Sequence, residues 1–191
     1  MTTTDPQNEI FPSVDENDNV IGEVKRHIAH KHPDIIHRAV GILIFNQKGE
    51  LLIQKRSLTK DTFPGCWEHS VGGHVDKNDN YLNTAVRELE EEVGLKVDPQ
   101  ELENLGKMLL KMPSESEYWT MYKLTTTYTD FKINKEEITE VKFLSLDDLK
   151  LALKDDNYLW NDKFSSSNTF LRSITSRYCT WRWSYFSFYQ Y

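Results

Sequence analysis

The sequence predicts an α/β sandwich around a mixed β-sheet. Three patterns carry that expectation. Residues 38–45 (RAVGILIF) and 50–56 are short apolar runs rich in β-branched residues, as buried strands are. Residues 80–93 repeat apolar side chains at helical spacing. Strand-like runs at 107–112, 117–128 and 141–144 then lead into a second helical stretch ending near Lys154. Strands interleaved with two helices bury both kinds of apolar face only by layering. A length of 191 residues with 38% hydrophobic content suffices for one domain with a full core and short extensions.

Taken in order, residues 1–10 read as a flexible N-terminal tail, and the folded domain is expected over 11–155. Residues 11–14 and 20–24 flank the polar cluster Asp15-Glu16-Asn17-Asp18-Asn19 and read as a hairpin. A histidine-rich stretch follows, with His27, His30, His32 and His37, interrupted by Pro33. Gln47-Lys48-Gly49 turns the strand at 38–45 into the one at 50–56, and the pair reads as a buried meander. Residues 57–66 form a loop with Pro64-Gly65, and 67–71 read as a strand ending at Gly72-Gly73. In the long helix Leu82, Val86, Leu89 and Val93 make one apolar stripe. Asn78 or Asp79 can cap its start, and Gly94 can end it. Ser145-Leu146-Asp147-Asp148 resembles a capping box for the second helix. Residues 156–191 are left as a C-terminal extension. Its end, 178–191, is crowded with aromatic side chains from Tyr178 to Tyr191, which fits a packed strand, a partner-binding segment or a terminus without function.

A formal net charge of −7 argues against binding a nucleic acid polymer through a basic surface. It is compatible with phosphorylated small molecules, because a metal ion supplies positive charge locally. No apolar run is long enough to span a membrane, and the N-terminal residues show no secretory signal pattern. Cys66 and Cys179 lack metal-type spacing and read as reduced thiols. A cytoplasmic location is therefore expected.

The chemistry starts on the long helix. Glu88, Glu91 and Glu92 fall at i, i+3 and i+4, so their carboxylates share one face, opposite or beside the apolar stripe. Crowded carboxylates repel one another unless a cation neutralises them, and hard oxygen ligands suit Mg²⁺ or Mn²⁺. Acidic runs alone are more often solvated helix faces, so the wider spacing decides. Arg87 stands four residues before Glu91, and Gly72-Gly73 permits close backbone approach ahead of the helix.

That wider spacing is Gly73, five residues, Asp79, seven residues, then Arg87-Glu88-Leu89-Glu90-Glu91-Glu92-Val93-Gly94-Leu95. It resembles the Nudix box, departing only at Asp79, where the family usually has the longer glutamate. The resemblance implies a Nudix-type α/β/α sandwich with a mixed β-sheet and Mg²⁺ or Mn²⁺ as cofactor. It implies hydrolysis of a phosphoanhydride bond in a diphosphate-containing small molecule, of the kind in which a nucleoside diphosphate is linked to a second group. Glu88, Glu91 and Glu92 would be metal ligands, Gly73 a turn residue and carbonyl ligand, and Arg87 the ion-pairing partner that completes the catalytic set. Many members carry a general-base glutamate further along, which makes Glu137 and Glu140 additional candidates. A homodimer stays open.

A longer stretch, roughly 13–150, is similar to type I isopentenyl diphosphate isomerase, a branch of the same superfamily. The likeness runs through Phe63-Pro64-Gly65-Cys66-Trp67 and Ser70-Val71-Gly72-Gly73-His74. It implies a second metal or diphosphate site at His30, His37, His74, Glu115 and Glu117, the two glutamates alternating as on one face of a strand. Two departures favour hydrolysis. Gly72 stands where the isomerase has its catalytic cysteine, and a glycine cannot move a proton. The Arg-Glu-x-x-Glu-Glu series, eroded in the isomerase, is complete here. An isomerase-like enzyme on a prenyl diphosphate and a non-catalytic ligand-binding domain are the alternatives. His27 and His32 read as surface residues, Trp67 and Trp119 as core, and Lys55, Arg56 and Lys60 as basic groups near a substrate loop.

Overall fold

Polar residues turn the chain between β1 (Ile10–Val14) and β2 (Val20–Lys25), an antiparallel hairpin in which Asp18 takes a φ of 63°. One helical turn, α1 (Arg26–Ala29), leads into β3 (Ile36–Asn46). The next apolar runs give β4 (Leu51–Arg56), β5 (Trp67–Glu68), β6 (Val71–His74) and the helix α2 (Tyr81–Val93). A 3₁₀ turn at Pro99–Glu101 precedes β7 (Glu103–Lys111), β8 (Ser116–Thr126) and β9 (Ile138–Leu144). Two short helices, α3 (Leu146–Ala152) and α4 (Asp162–Ser165), follow. This computed structural model describes residues 3–165; the aromatic segment at 178–191 and Cys179 lie outside the described residues.

The strand β3 is the hub. It pairs in parallel with β8 from Ile36↔Ser116 to Asn46↔Thr126, and antiparallel with β6 from Ala39↔His74 to Ile42↔Val71. The meander expected over 38–56 is therefore broken. A strand has two edges, and β6 and β8 occupy those of β3, so β3 and β4 register only at Phe45↔Leu51 while β4 pairs with β5 and β9. Alternation along β3 sorts the core. Val40, Ile42 and Ile44 pack with Ala85, Leu89 and Val93 of α2, whereas Ala39 and Leu43 pack with Leu149 and Ala152 of α3. Helices on opposite faces make the α/β/α sandwich.

The helix α2 starts one residue later than expected. Asn80, not Asn78 or Asp79, is the cap, accepting from the Asn83 N–H at 3.0 Å, while Asp79 accepts from the Thr84 hydroxyl at 3.1 Å. Gly94 ends it with a φ of 72°. Its buried residues are Thr84, Ala85, Glu88, Leu89, Glu92 and Val93, with Leu82 and Val86 only partly covered. The face turned inward thus contains two glutamates, a rotation that an apolar stripe does not announce. Truncating the fully buried Leu89 to alanine is expected to cost about 2–5 kcal/mol.

Both expected boundaries need correction. Residues 3–9 do not dangle: the Thr4 N–H donates to the Thr59 carbonyl at 3.2 Å, and Asp5 is buried with ion pairs to Arg26 and Lys60. At the other end, packing continues past 155. Trp160 is buried, its indole N–H donating to the Ala152 carbonyl at 2.9 Å, and Asn161 is buried with it. Among the described residues no helix is long and apolar enough to cross a membrane.

Candidate active site

The sheet and α2 together wall a cavity of about 350 Å³. Glu88, Glu91, Glu92, Glu117 and Glu137 line it with Arg26, Lys60, Arg87 and Lys163, and Gly72-Gly73 forms part of its backbone surface. Two separate clusters of acidic groups meet this space.

The first is on α2. Glu88 and Glu92 are buried, while Glu91 is exposed. Gly73 makes this possible, because a Cβ at that position would lie 2.2 Å from the Glu88 carboxylate. Burial pushes the Glu88 carboxyl up to about 7, Arg87 opposing and Glu91 and Glu137 adding to the rise. Glu92 is raised well above the usual carboxylate range, first by burial, then by Glu88 and Glu137, and Lys60 offsets too little. One Glu92 oxygen is buried without a hydrogen-bond partner. Such uncompensated hard oxygens are what Mg²⁺ or Mn²⁺ would stabilise, so the residues fit that cofactor.

Arg87 straddles two of the box carboxylates, with Nη1 2.9 Å from Glu88 Oε1 and 2.8 Å from Glu91 Oε2. Its Nη2 donates to the His74 carbonyl at 3.4 Å, tying the helix to the end of β6. The three box glutamates therefore share a cavity without closing into one tight ligand set, because the guanidinium lies between Glu88 and Glu91. Glu137 faces the same cavity and pairs with Lys60. Glu140 does not: it is exposed on β9, opposite Lys55, outside the cavity lining. Arg56 and Lys60 line the cavity but are engaged by Glu68 and by Asp5 and Glu137, and Lys55 is absent from the lining.

The second cluster is on the sheet. Parallel register sets His37 of β3 beside Glu117 of β8, and antiparallel register sets His74 of β6 beside Ala39, two residues along the same face. His30 caps the end of α1, and Glu115 immediately precedes β8. Among the described residues, these five offer ligand atoms all within 4.8 Å of one another. His74 Nε2 lies 3.2 Å from both His30 Nε2 and Glu117 Oε1, His37 Nε2 is 3.4 Å from Glu117 Oε1, and His30 Nε2 is 3.5 Å from Glu115 Oε2. Both His37 ring nitrogens are buried without hydrogen-bond partners. The donor set therefore fits a divalent cation.

Burial alone would raise Glu117. Lys163, the hydrogen bond with His74 and the nearby His37 imidazole outweigh it and hold the carboxyl well below its usual range. Burial likewise keeps the His74 imidazolium from forming, setting its pKa well below the ordinary value.

Sequence reading missed several parts of this site. Lys163 Nζ lies 2.8 Å from Glu115 Oε1 and 2.8 Å from Glu117 Oε2. Phe11 stacks on His37 and His74 at centroid distances of 5.3 and 4.5 Å. Arg26 is buried and paired with Asp61 at 2.8 Å and Glu9 at 3.1 Å, just behind His74. His69 fills the space above Gly72, where a Cβ would lie 2.6 Å from its Nε2. His27 is partly buried and holds the Gln7 carbonyl, His32 is exposed, and Trp67 and Trp119 are core residues.

The NUDIX domain family profile matches residues 35–166, well over half of the chain. The chain belongs to the Nudix family. Among its curated relatives, isopentenyl-diphosphate Delta-isomerase I, chloroplastic, of Arabidopsis thaliana is 34% identical over 163 residues, covering 74% of this chain and 56% of the relative. An uncharacterized Nudix hydrolase of Pseudomonas aeruginosa is 32% identical over 136 residues, covering 71% of this chain and 78% of the relative. This Nudix chain thus spans little more than half the length of the Arabidopsis thaliana isomerase and of one from Clarkia breweri. A solved structure from Deinococcus radiodurans shares the fold with a TM-score of 0.72 at 24% identity, covering 88% of this chain and all of that one.

Proposed function

We propose that this Nudix chain is a Mg²⁺- or Mn²⁺-dependent hydrolase that cleaves a phosphoanhydride in a small diphosphate compound, of the kind in which a nucleoside diphosphate is linked to a second group. The observation that carries this reading is the pair of buried carboxylates lining one cavity, Glu88 against Gly73 and Glu92 one turn further on, both with raised pKa values and one Glu92 oxygen unpartnered.

Glu88, Glu91 and Glu92 would hold the cation, with the Gly73 carbonyl as a further ligand. When bound, the cation supplies charge neutralisation for the diphosphate and its transition state, and makes a neighbouring water more acidic. The rest falls to the chain. Glu137 faces the box across the cavity and is the candidate to accept the proton from the attacking water. Lys60, paired with it, fixes its position. Arg87 orients Glu88 and Glu91 and must yield part of its contact with Glu91 if all three carboxylates ligate together. The sheet cluster of three histidines and two glutamates would hold a second cation or the far phosphate. Such a small-molecule hydrolase is expected in the cytoplasm.

Two observations favour a second reading, an isomerase acting on a prenyl diphosphate: the five sheet residues converge, and the plant relatives carry that name. Against it, Gly72 offers no proton-transferring side chain, and His69 occupies the adjacent space. A panel of nucleoside diphosphate derivatives and isopentenyl diphosphate, each with Mg²⁺ or Mn²⁺, separates the two. The hydrolase reading expects release of a monophosphate from at least one nucleotide and no allylic isomer. Allylic product with no hydrolysis would replace it.

A further inference from the structure

Among the described residues, Lys163 is the lysine aimed at the two glutamates of the sheet cluster, which a metal ion there would claim. Its ammonium lies 2.8 Å from one oxygen of Glu115 and 2.8 Å from one oxygen of Glu117. Both glutamates are buried to 1% exposure. Their remaining oxygens face imidazoles: Glu115 Oε2 faces His30, and Glu117 Oε1 faces His37 and His74. The lysine therefore closes one side of the five-residue ring while the histidines close the other.

The chain delivers it there deliberately close to a fixed point. Segment 159–161 is clamped to β5: the Trp67 N–H donates to the Leu159 carbonyl at 2.7 Å, and the Asn161 N–H donates to the Trp67 carbonyl at 2.9 Å. The Asn161 side-chain amide also donates to Glu68 at 2.7 Å. Lys163 follows two residues after that clamp, on the single turn α4. Its side chain can thus leave the carboxylates without unfolding the clamp.

We propose that the Lys163 ammonium is an internal competitor for the divalent cation at the His30, His37, His74, Glu115 and Glu117 cluster, so that lysine and metal hold Glu115 and Glu117 in turn. Two buried carboxylates need a positive charge, and either cation meets that need. Both together would set three positive charges within one ligand ring against two negative ones. Cation binding at this cluster is then coupled to withdrawal of Lys163, and the withdrawn ammonium is freed at the rim of the substrate cavity, where it can meet phosphate. The proposal rests on the reading of the cluster as a cation site.

The test titrates the full chain with Co²⁺, whose visible absorption reports imidazole ligation and so distinguishes this cluster from the all-carboxylate box. Lys163→Met is expected to bind Co²⁺ at the histidine-type signal about tenfold more tightly than the unaltered chain, and Lys163→Arg within about threefold of it. Equal or weaker binding by a folded Lys163→Met overturns the competition while leaving the cluster a metal site. Absence of any histidine-type signal in all three proteins overturns the cluster reading and the competition with it. A second measurement needs no variant: acetylation of Lys163 by acetic anhydride, read by mass spectrometry. Lys163 should be protected in EDTA and become reactive when Co²⁺ is added. Equal reactivity in both conditions overturns the displacement.

Discussion

The two acidic clusters differ in how their charge is answered. On the sheet, Glu115 and Glu117 are buried but compensated, by Lys163 at 2.8 Å and by three imidazoles, and Glu117 is held in its charged form. On α2, Glu88 and Glu92 are nearly as buried and lack such an answer, since Arg87 reaches Glu88 alone of the two and one Glu92 oxygen has no partner. Both carboxyls are therefore pushed toward the neutral form. The lesson is that the chain itself answers the charge of the sheet cluster, whereas it answers that of the helix cluster only in part, through Arg87 and Lys60.

Neutralising one carboxylate in each place sharpens that contrast most. Glu117→Gln leaves Lys163 with one partner fewer in a buried position and should lower unfolding free energy by about 3 kcal/mol. Glu92→Gln removes a buried carboxylate that Lys60 answers too little and should raise metal-free stability by about 1 kcal/mol at pH 8. Urea unfolding of EDTA-treated protein reads both; the same sign for the two would dissolve the contrast.

The pH response follows with a similar magnitude. The folded Glu88 carboxyl, at about 7, lies above its ordinary 4.5, so its contribution is complete below the lower value and disappears as pH rises through the upper one. Metal-free stability should therefore fall by on the order of 3 kcal/mol from this group as pH rises from about 4.5 through 7. Glu92 acts in the same direction. Glu117, depressed when folded, does the opposite: its contribution is present above the ordinary carboxylate range and is lost on acidification through its lowered pKa. Glu88→Gln should flatten the neutral-pH slope and leave the acid limb intact.

How much of this was legible beforehand depends on distance along the chain. The spacing from Gly73 to Leu95 lies within one loop and one helix, so local periodicity exposed the face that Glu88, Glu91 and Glu92 share. The alternation of Glu115 and Glu117 likewise survives folding because a strand preserves it. What sequence concealed was set by remote partners. Lys163 gains meaning only from residues 46 and 48 positions earlier, and Asp5 only from Arg26 and Lys60. The inward turn of Glu88 and Glu92 was hidden because apolar periodicity marks where carbon is buried and is blind to buried carboxylates, Glu88 being accommodated by Gly73. The split of β3 from β4 was hidden because competition among β6, β8 and β9 for strand edges is non-local.

The glycine pair gives two further effects. Gly73→Ala puts a methyl 2.2 Å from the Glu88 carboxylate, so Glu88 must move, costing about 2 kcal/mol of stability and about a hundredfold in hydrolysis. Gly72→Cys meets His69 at 2.6 Å and should cost about 1 kcal/mol without creating isomerase activity. Allylic product from that variant would show that the thiol alone was missing.

The central claim, that the α2 carboxylates work by gathering a hard cation, is tested most directly by Mg²⁺-dependent hydrolysis in the unaltered chain and in Glu92→Gln. The account predicts monophosphate release that saturates with Mg²⁺, vanishes in EDTA, and drops at least about a hundredfold in the variant while its fold persists. Undiminished hydrolysis by a folded Glu92→Gln would contradict it.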